Sequence, residues 1–416
     1  MRRKIKTPLW IARLVTLFAI IGPGLITASA DNDAPGIATY SMAGSRYGYG
    51  FLWVIVVITF GELVIQEMAA RMGAVTGKGT ADLIRERFGV KTTTFAMFCL
   101  LLANLGTTIA EFAGIAAAGE LFGISRFITV PLAGILITIL VLKGGYNKVE
   151  KVMLFLCLSA LAYVGTVFII KPDWGEIVQA ALVPHIEFNN EYILAILAVI
   201  GTTITPWGIF YLQASVADKG VDMDQYGHTK IDVAFGAGWG NIISAFIIIT
   251  TAATLFTSGI VVTNATEAAI ALEPLAGSAS RILFAVGLLG ASLLSISVLP
   301  LATTYAMCEA FGFERGLNRP MKEAPAFYTT FSVITVLSMF LILFVPSQSL
   351  FQFMLYSQSL NAILLPVLLV LVLILANNQA IMGKWKNKTF QNVLGVGMTV
   401  LIFGITVVLF LEPFLK

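Results

Sequence analysis

Charge is scarce in this sequence. Only 12% of its 416 residues are Asp, Glu, Lys or Arg, against about 25% in an average soluble domain. No stretch between the apolar segments is long enough to bury a core of its own, which excludes a separate soluble domain. Histidine is nearly missing. His185 and His228 both fall in expected loops, so a histidine-based metal site or proton relay within the bilayer is not expected. The three cysteines, Cys99, Cys157 and Cys308, are scattered through apolar segments without metal-ligand or redox spacing. They read as small buried hydrophobes. Neither paired metal-binding histidines nor a Gly-x-Ser-x-Gly elbow occurs, which argues against an intramembrane enzyme.

What the chain has is apolar length. Hydrophobic residues make up 58% of it and the mean hydropathy is +0.89, the composition of an integral membrane protein built from helices. Eleven spans are expected, at about 13–44, 49–72, 94–122, 127–143, 150–171, 192–218, 232–257, 280–312, 325–345, 349–376 and 390–413. The longest connections run from Thr76 to Lys91, from Pro172 to Glu191 and from Ser258 to Ala279. The start, Met1-Arg2-Arg3-Lys4-Ile5-Lys6, is like the basic region of a signal peptide. The apolar run after it is too long and too interrupted, and lacks a clean small-residue cleavage site, so it is expected to stay as the first span. With the N-terminus in the cytoplasm, 21 of the 26 Lys and Arg residues fall on the cytoplasmic side and 5 on the other. That asymmetry predicts a multi-pass cell-membrane protein with its N-terminus inside and its C-terminus outside.

Two spans are interrupted. In span one, Asp31-Asn32-Asp33-Ala34-Pro35-Gly36 sits inside the apolar run. Proline lacks an N–H and glycine is a poor helix former. A broken helix is tolerated in lipid only where its freed backbone groups line a cavity or bind something. Five spans later, Gly201-Thr202-Thr203-Ile204-Thr205-Pro206-Trp207-Gly208 repeats the interruption. Five is odd, so two such halves lie in opposite orientations, and matched breaks in inverted halves point to a transporter's binding site. The halves are 13–171 and 192–376, with span eleven, 390–413, at the periphery of a single domain over 1–416.

Asp33, beside the first break, is the leading ligand for a cation, because intramembrane carboxylates are costly and usually functional. A carboxylate next to unwound carbonyls suits a hard ion such as Mg²⁺, which keeps several of its waters. Asp31 lines the approach or holds those waters. Thr202 and Thr205, three apart on one face of span six, offer hydroxyls and freed carbonyls. Gln358 and Asn361 on span ten are three apart and able to face the site. Glu62, Glu67, Glu111 and Glu120 are expected to be buried, in transport or interhelical bonds. Trp207 narrows the pathway or packs. No Cys, Met or His stands at either break, which disfavours late transition metals.

At these residues the chain resembles the Nramp divalent-metal transporters. The resemblance rests on the order and spacing of Gly22-Pro23-Gly24, Ala38-Thr39, Ala43-Gly44, Tyr47-Gly48-Tyr49, Leu52-Trp53 and Thr76-Gly77-Lys78. It implies an all-α membrane protein of the LeuT-type 5+5 inverted-repeat fold, with helices 1 and 6 discontinuous among eleven. The family's first break reads Asp-Pro-Gly-Asn. The resemblance keeps its aspartate at Asp33 and puts Gly36 where the asparagine ligand stands. The second family break, Met-Pro-His-Asn, corresponds to Thr205-Pro206-Trp207-Gly208. The sulfur ligand becomes Thr205, and the histidine tied to proton transport becomes Trp207. In span three the aspartate of the family's proton path aligns with Thr108, while the nearby glutamate matches Glu111.

These departures are most similar to the Nramp-related magnesium transporter branch. Oxygen in place of sulfur, and open space at Gly36, suit a larger, partly hydrated ion. The expected function is alternating-access transport of Mg²⁺ and also Mn²⁺ without proton coupling. The metal set is Asp33, Thr202, Thr205, Asp31, Gly36 and Gln358. The alternative is a proton-coupled Mn²⁺/Fe²⁺ importer using Glu111. An organic-substrate symporter of the same fold is disfavoured by Asp33, since such sites turn half-helix N-termini toward a substrate carboxylate. The expected partners are divalent metal ions and the lipid bilayer. No cofactor, enzymatic activity or nucleic acid is expected, and the chain is expected to act as a monomer.

Overall fold

The computed structural model describes residues 32–142, 158–317 and 319–415. Asp31, Cys157, the first half of span one and the start of span five lie outside the described residues. In chain order the helices are α1 (Ala34–Tyr47), α2 (Leu52–Thr76), α3 (Thr80–Leu121), α4 (Arg126–Leu142), α5 (Leu161–Ile170) and α6 (Trp174–Leu182). Then follow α7 (Asn190–Thr203), α8 (Pro206–Asp218), α9 (Tyr226–Thr254), α10 (Ala265–Ile270) and α11 (Glu273–Ala276). The last are α12 (Ser280–Phe311), α13 (Pro325–Ile342), α14 (Leu350–Ala376), α15 (Gln379–Met382) and α16 (Thr389–Leu415). No strand occurs among the described residues. Among the described residues eight stretches are long and apolar enough to cross a membrane, one of them running through α1 and α2 together.

The packing partners come in exchanged pairs. α1 lies along α9, and α8 lies along α2. Numbered as spans, one packs on seven and six on two, as an inverted five-span repeat requires. Each contact is made close by glycine. A Cβ on Gly44 of α1 would fall 2.5 Å from the Ile248 carbonyl of α9, and one on Gly73 of α2 would fall 2.7 Å from the Gln213 carbonyl of α8. Small residues give membrane helices this approach. α3 runs through the centre, against α12 and α14, and α7 lies along α14. Phe112, Phe327, Phe331, Tyr192 and Trp207 are buried in the common core. Phe98, Phe127, Leu132, Phe340, Phe390 and Phe403 point outward and are exposed. A belt of bare aromatic and aliphatic side chains is unsuited to water and suited to lipid.

Among the described residues, span boundaries fall within a few residues of expectation, except at the start of α9, six residues early, and at α3. The segment Thr76–Lys91 was expected to be a connection, but α3 already begins at Thr80. Its first turns are amphipathic. Ala81, Leu83 and Ile84 are buried, while Asp82 stands in the first turn. Gly89, at φ 74°, breaks the helical geometry before the span proper, a conformation open mainly to glycine. The connection from Pro172 to Glu191 likewise holds a helix, α6, started by Asp173 capping the Gly175 and Glu176 N–H groups.

Polar ties cluster at the end of the bundle where α2, α8 and α12 finish. Arg315 donates to Asp82 at 2.9 Å and stands 3.6 Å from Glu309, whose side chain is 2% exposed. Thr80 donates to Gln213 at 2.7 Å, and Gln213 to the Lys78 carbonyl at 3.0 Å. Arg315→Ala is expected to destabilise the protein by about 2 kcal/mol, read as a lowered thermal midpoint in detergent. Losing a fully buried partner costs more, but Arg315 is 28% exposed and solvent screens part of the loss.

Candidate ion site at the helix breaks

On the described side of the first expected break, Asp33 stands immediately before α1. Its backbone is extended, at φ −76° and ψ 178°, and α1 begins at the next residue. Asp33 Oδ1 accepts the Gly36 N–H at 2.6 Å, capping the helix. Proline in the first turn loses nothing, because that N–H has no helical partner anyway. Asp33 is 0% exposed and its Oδ2, also buried, has no hydrogen-bond partner. The neighbouring acid is Glu111 on α3. Its Oε2 accepts the Ala34 N–H at 3.4 Å, and its carboxyl meets that of Asp33. Two acids in contact share a proton or a cation, because both cannot stand ionised and unpaired. Gly114, one turn along α3, lets the chains meet there, since a Cβ would fall 2.3 Å from the Ala34 Cβ.

The second break separates α7 from α8 at Ile204 and Thr205. Pro206 opens α8, with Thr205 as its cap accepting the Gly208 N–H at 3.3 Å. Pro206 also stands four residues after Thr202. A helix would need its missing N–H to satisfy the Thr202 carbonyl, so that oxygen has no helical donor. The Thr202 hydroxyl is buried and without a partner, whereas Thr203 donates back to the Val199 carbonyl at 2.8 Å. Tyr40 on α1 joins the two half-helices, its hydroxyl 2.8 Å from Thr203 Oγ1.

Gln358 lies beside the second break. A Cβ on Gly201 would fall 1.9 Å from the Gln358 carbonyl. The Gln358 side-chain oxygen accepts from Asn361 at 2.8 Å, and Asn361 donates to Thr107 at 2.9 Å, so this chain of bonds ties α14 to α3. Gly36 contributes its capped N–H and no side-chain oxygen. Thr108 donates to the Asn104 carbonyl at 2.7 Å. Trp207 is fully buried, with its ring 6.2 Å from that of Tyr211. Two of the acids expected to be buried are not fully so. Glu67 is half-buried, paired with Arg71 and bonded by Tyr226 at 2.6 Å. Glu120 is exposed at the end of α3 and accepts from Ser347. A last-turn position gives a long side chain a route to solvent, which burial of the helix body does not predict.

Tyr40, Thr203 and Thr107 were not anticipated. Tyr40 stands seven residues after Asp33 and so on the same helix face, the one signal that points to it. Among the described residues no group of three or more His, Cys, Asp and Glu gathers as a metal cluster. Oxygen from hydroxyls and unwound carbonyls is what the breaks have to offer.

Exchanged helix pairs and the break between α7 and α8 match the architecture of LeuT-type membrane transporters. Solved structures agree. An Eremococcus coleocola manganese transporter, in complex with an aromatic bis-isothiourea compound, superposes with a TM-score of 0.78 at 20% identity, over 97% of this chain and 88% of that one. MhsT in complex with L-phenylalanine superposes at 0.61, with 16% identity over 93% and 97% of the two chains. The family profile described as natural resistance-associated macrophage protein-like, Nramp, matches residues 24–412, and the chain belongs to that family. A divalent metal cation transporter MntH of Erwinia tasmaniensis is 33% identical over 290 residues, 68% of this chain and 70% of the relative. The MntH of Yersinia pestis is 28% identical over 402 residues, 95% of each chain.

Proposed function

We propose that this protein carries divalent metal ions across the cell membrane by alternating access, taking Mg²⁺ and also Mn²⁺ without moving protons. The observation that carries the reading is Asp33, a fully buried carboxylate at the start of α1 whose Oδ2 accepts from no hydrogen-bond donor and whose carboxyl neighbour is a second acid, Glu111. Thr202 supplies a hydroxyl and a carbonyl, and Thr205 a second hydroxyl position. Gln358 backs the second break and Gly36 leaves room for retained water; Asp31, outside the described residues, is assigned to the approach from the sequence alone. All these donors are oxygen, which suits Mg²⁺ and does not select against it as sulfur would. The MntH relatives, named as divalent metal cation transporters, support the broader reading.

Basic residues collect where α2, α8 and α12 end, with Arg71, Lys78, Arg85, Lys219 and Arg315, and that end is cytoplasmic under the positive-inside rule. The N-terminus is then inside and the C-terminus outside, with repeats 13–171 and 192–376. The outer side has a vestibule of about 290 Å³, walled by Ala38, Met42, Leu194, Phe351, Leu355 and Tyr356, with the Arg46–Glu191 ion pair at its rim. Its walls come from α1, α7 and α14. A membrane potential, inside negative, drives a divalent ion inward by about 4.6 kcal/mol per 100 mV, twice the single-charge value. Both breaks belong to one chain, so a monomer suffices, and the protein acts as a carrier and not as an enzyme.

In proteoliposomes, Mg²⁺ influx is expected to leave the lumenal pH unchanged, read with an entrapped pH dye. A second reading, proton-coupled Mn²⁺/Fe²⁺ import, is favoured by Glu111 against Asp33. Lumenal acidification that tracks metal uptake and disappears in Glu111→Gln decides for it.

A further inference from the structure

A second set of polar side chains converges next to Asp33, drawn from α1, α2, α7 and α9 and from Asn32. Glu62 of α2, Asn241 and Ser244 of α9, Asn32, Tyr40 and Thr203 line a cavity of about 10 Å³, enough for about one water-sized sphere. Glu62 is 2% exposed. Its carboxylate accepts from Gln66 Nε2 at 2.6 Å and from Asn241 Nδ2 at 2.5 Å, both neutral amides. It has no cationic side chain as partner among the described residues. Asn241 gives its other amide hydrogen to the Ala237 carbonyl at 3.0 Å, which fixes the amide's orientation. That leaves Asn241 Oδ1 buried without a partner in the cavity wall, and Gln66 Oε1 is likewise buried and unpartnered. The single Ser244 O–H is shared between Asn32 Oδ1 at 3.2 Å and the Gly240 carbonyl at 3.1 Å, so its lone pairs remain available.

We propose that this cavity is a monovalent-cation site, taking one sodium-sized ion between Glu62, Asn241, Ser244 and Asn32. A buried carboxylate without a counter-charge is strongly unfavourable. One carboxylate balances one positive charge, and neutral amide and hydroxyl oxygens are hard ligands. The volume leaves no room for the waters that Mg²⁺ retains, so the transported ion is excluded. The site joins α2 and α9 to Asn32, the residue before Asp33. Its occupancy therefore fixes the extended segment that presents Asp33.

The test is the thermal midpoint of the purified full chain in detergent, as choline chloride is replaced by NaCl at constant ionic strength. The parent is expected to gain several degrees, saturably in Na⁺. Glu62→Gln is expected to abolish the gain while unfolding in choline no lower than the parent. Ser244→Ala is expected to raise the half-saturating Na⁺ concentration about tenfold, a change of ~1.4 kcal/mol. A parent midpoint indifferent to Na⁺, or a Glu62→Gln protein responding like the parent, overturns the proposal. So does a parent stabilised by acidification with no further effect of Na⁺, since the carboxyl then holds a proton. If Glu62→Gln does not purify folded, Asn241→Ala takes its place with the same outcomes.

Discussion

Asp33→Asn is expected to lower Mg²⁺ and Mn²⁺ uptake about 100-fold or more in proteoliposomes, measured with entrapped indicators at a fixed membrane potential. Asparagine keeps an oxygen for the Gly36 N–H, so the cap on α1 survives. What disappears is the negative charge. About 100-fold corresponds to ~2.7 kcal/mol, within the range found when one partner of a desolvated charge pair is truncated. The folded state does not suffer the same loss. Asp33 is wholly buried and makes no ion pair with a cationic side chain among the described residues, so neutralising it removes a desolvation penalty. The thermal midpoint is therefore expected to stay level or rise while transport collapses. Uptake at the parent's rate in Asp33→Asn removes Asp33 from the site.

Gly201→Ala is expected to destabilise the protein by about 3 kcal/mol. The new Cβ would fall 1.9 Å from the Gln358 carbonyl oxygen and 2.8 Å from the Ala362 nitrogen, both backbone atoms of α14. Neither swings aside as a side chain end does. α7 and α14 must part by more than an ångström, roughly, to reach ordinary contact, and overpacking of this kind costs about 1–3 kcal/mol or somewhat more. The same shift moves Gln358 and its bonds to Asn361 and Thr107. Gly238→Ala on α9 is the control. Nothing lies within 4 Å of a Cβ there, and alanine is the better helix former. Thermal unfolding of both variants in one detergent separates the two outcomes.

The second break and the start of α1 at Asp33 were legible because proline and glycine act locally. Pro206 has no N–H for the Thr202 carbonyl, whatever surrounds it, and Asp33 caps its own helix three residues on. Spans were legible from apolar length. The α3 start was not, because Thr80 and Asp82 are held by Gln213 and Arg315, more than a hundred residues away in sequence. Glu111 was visible as an intramembrane acid, but its contact with Asp33 depends on how α3 crosses α1. Glu62 was visible too. Its polar partners on α9, across from α2, are not encoded in any spacing. The lone amide Asn241 in an apolar stretch is the signal that points there.

Calorimetric titration of the purified protein with Mg²⁺ and with Mn²⁺, in the parent and in Asp33→Asn, tests the oxygen-only site most directly. Saturable heats for both ions, with affinities within about tenfold, ~1.4 kcal/mol, and loss of both in Asp33→Asn, are the predicted result. Mn²⁺ binding with no Mg²⁺ heat at millimolar concentration, or undiminished binding of both ions by Asp33→Asn, contradicts it.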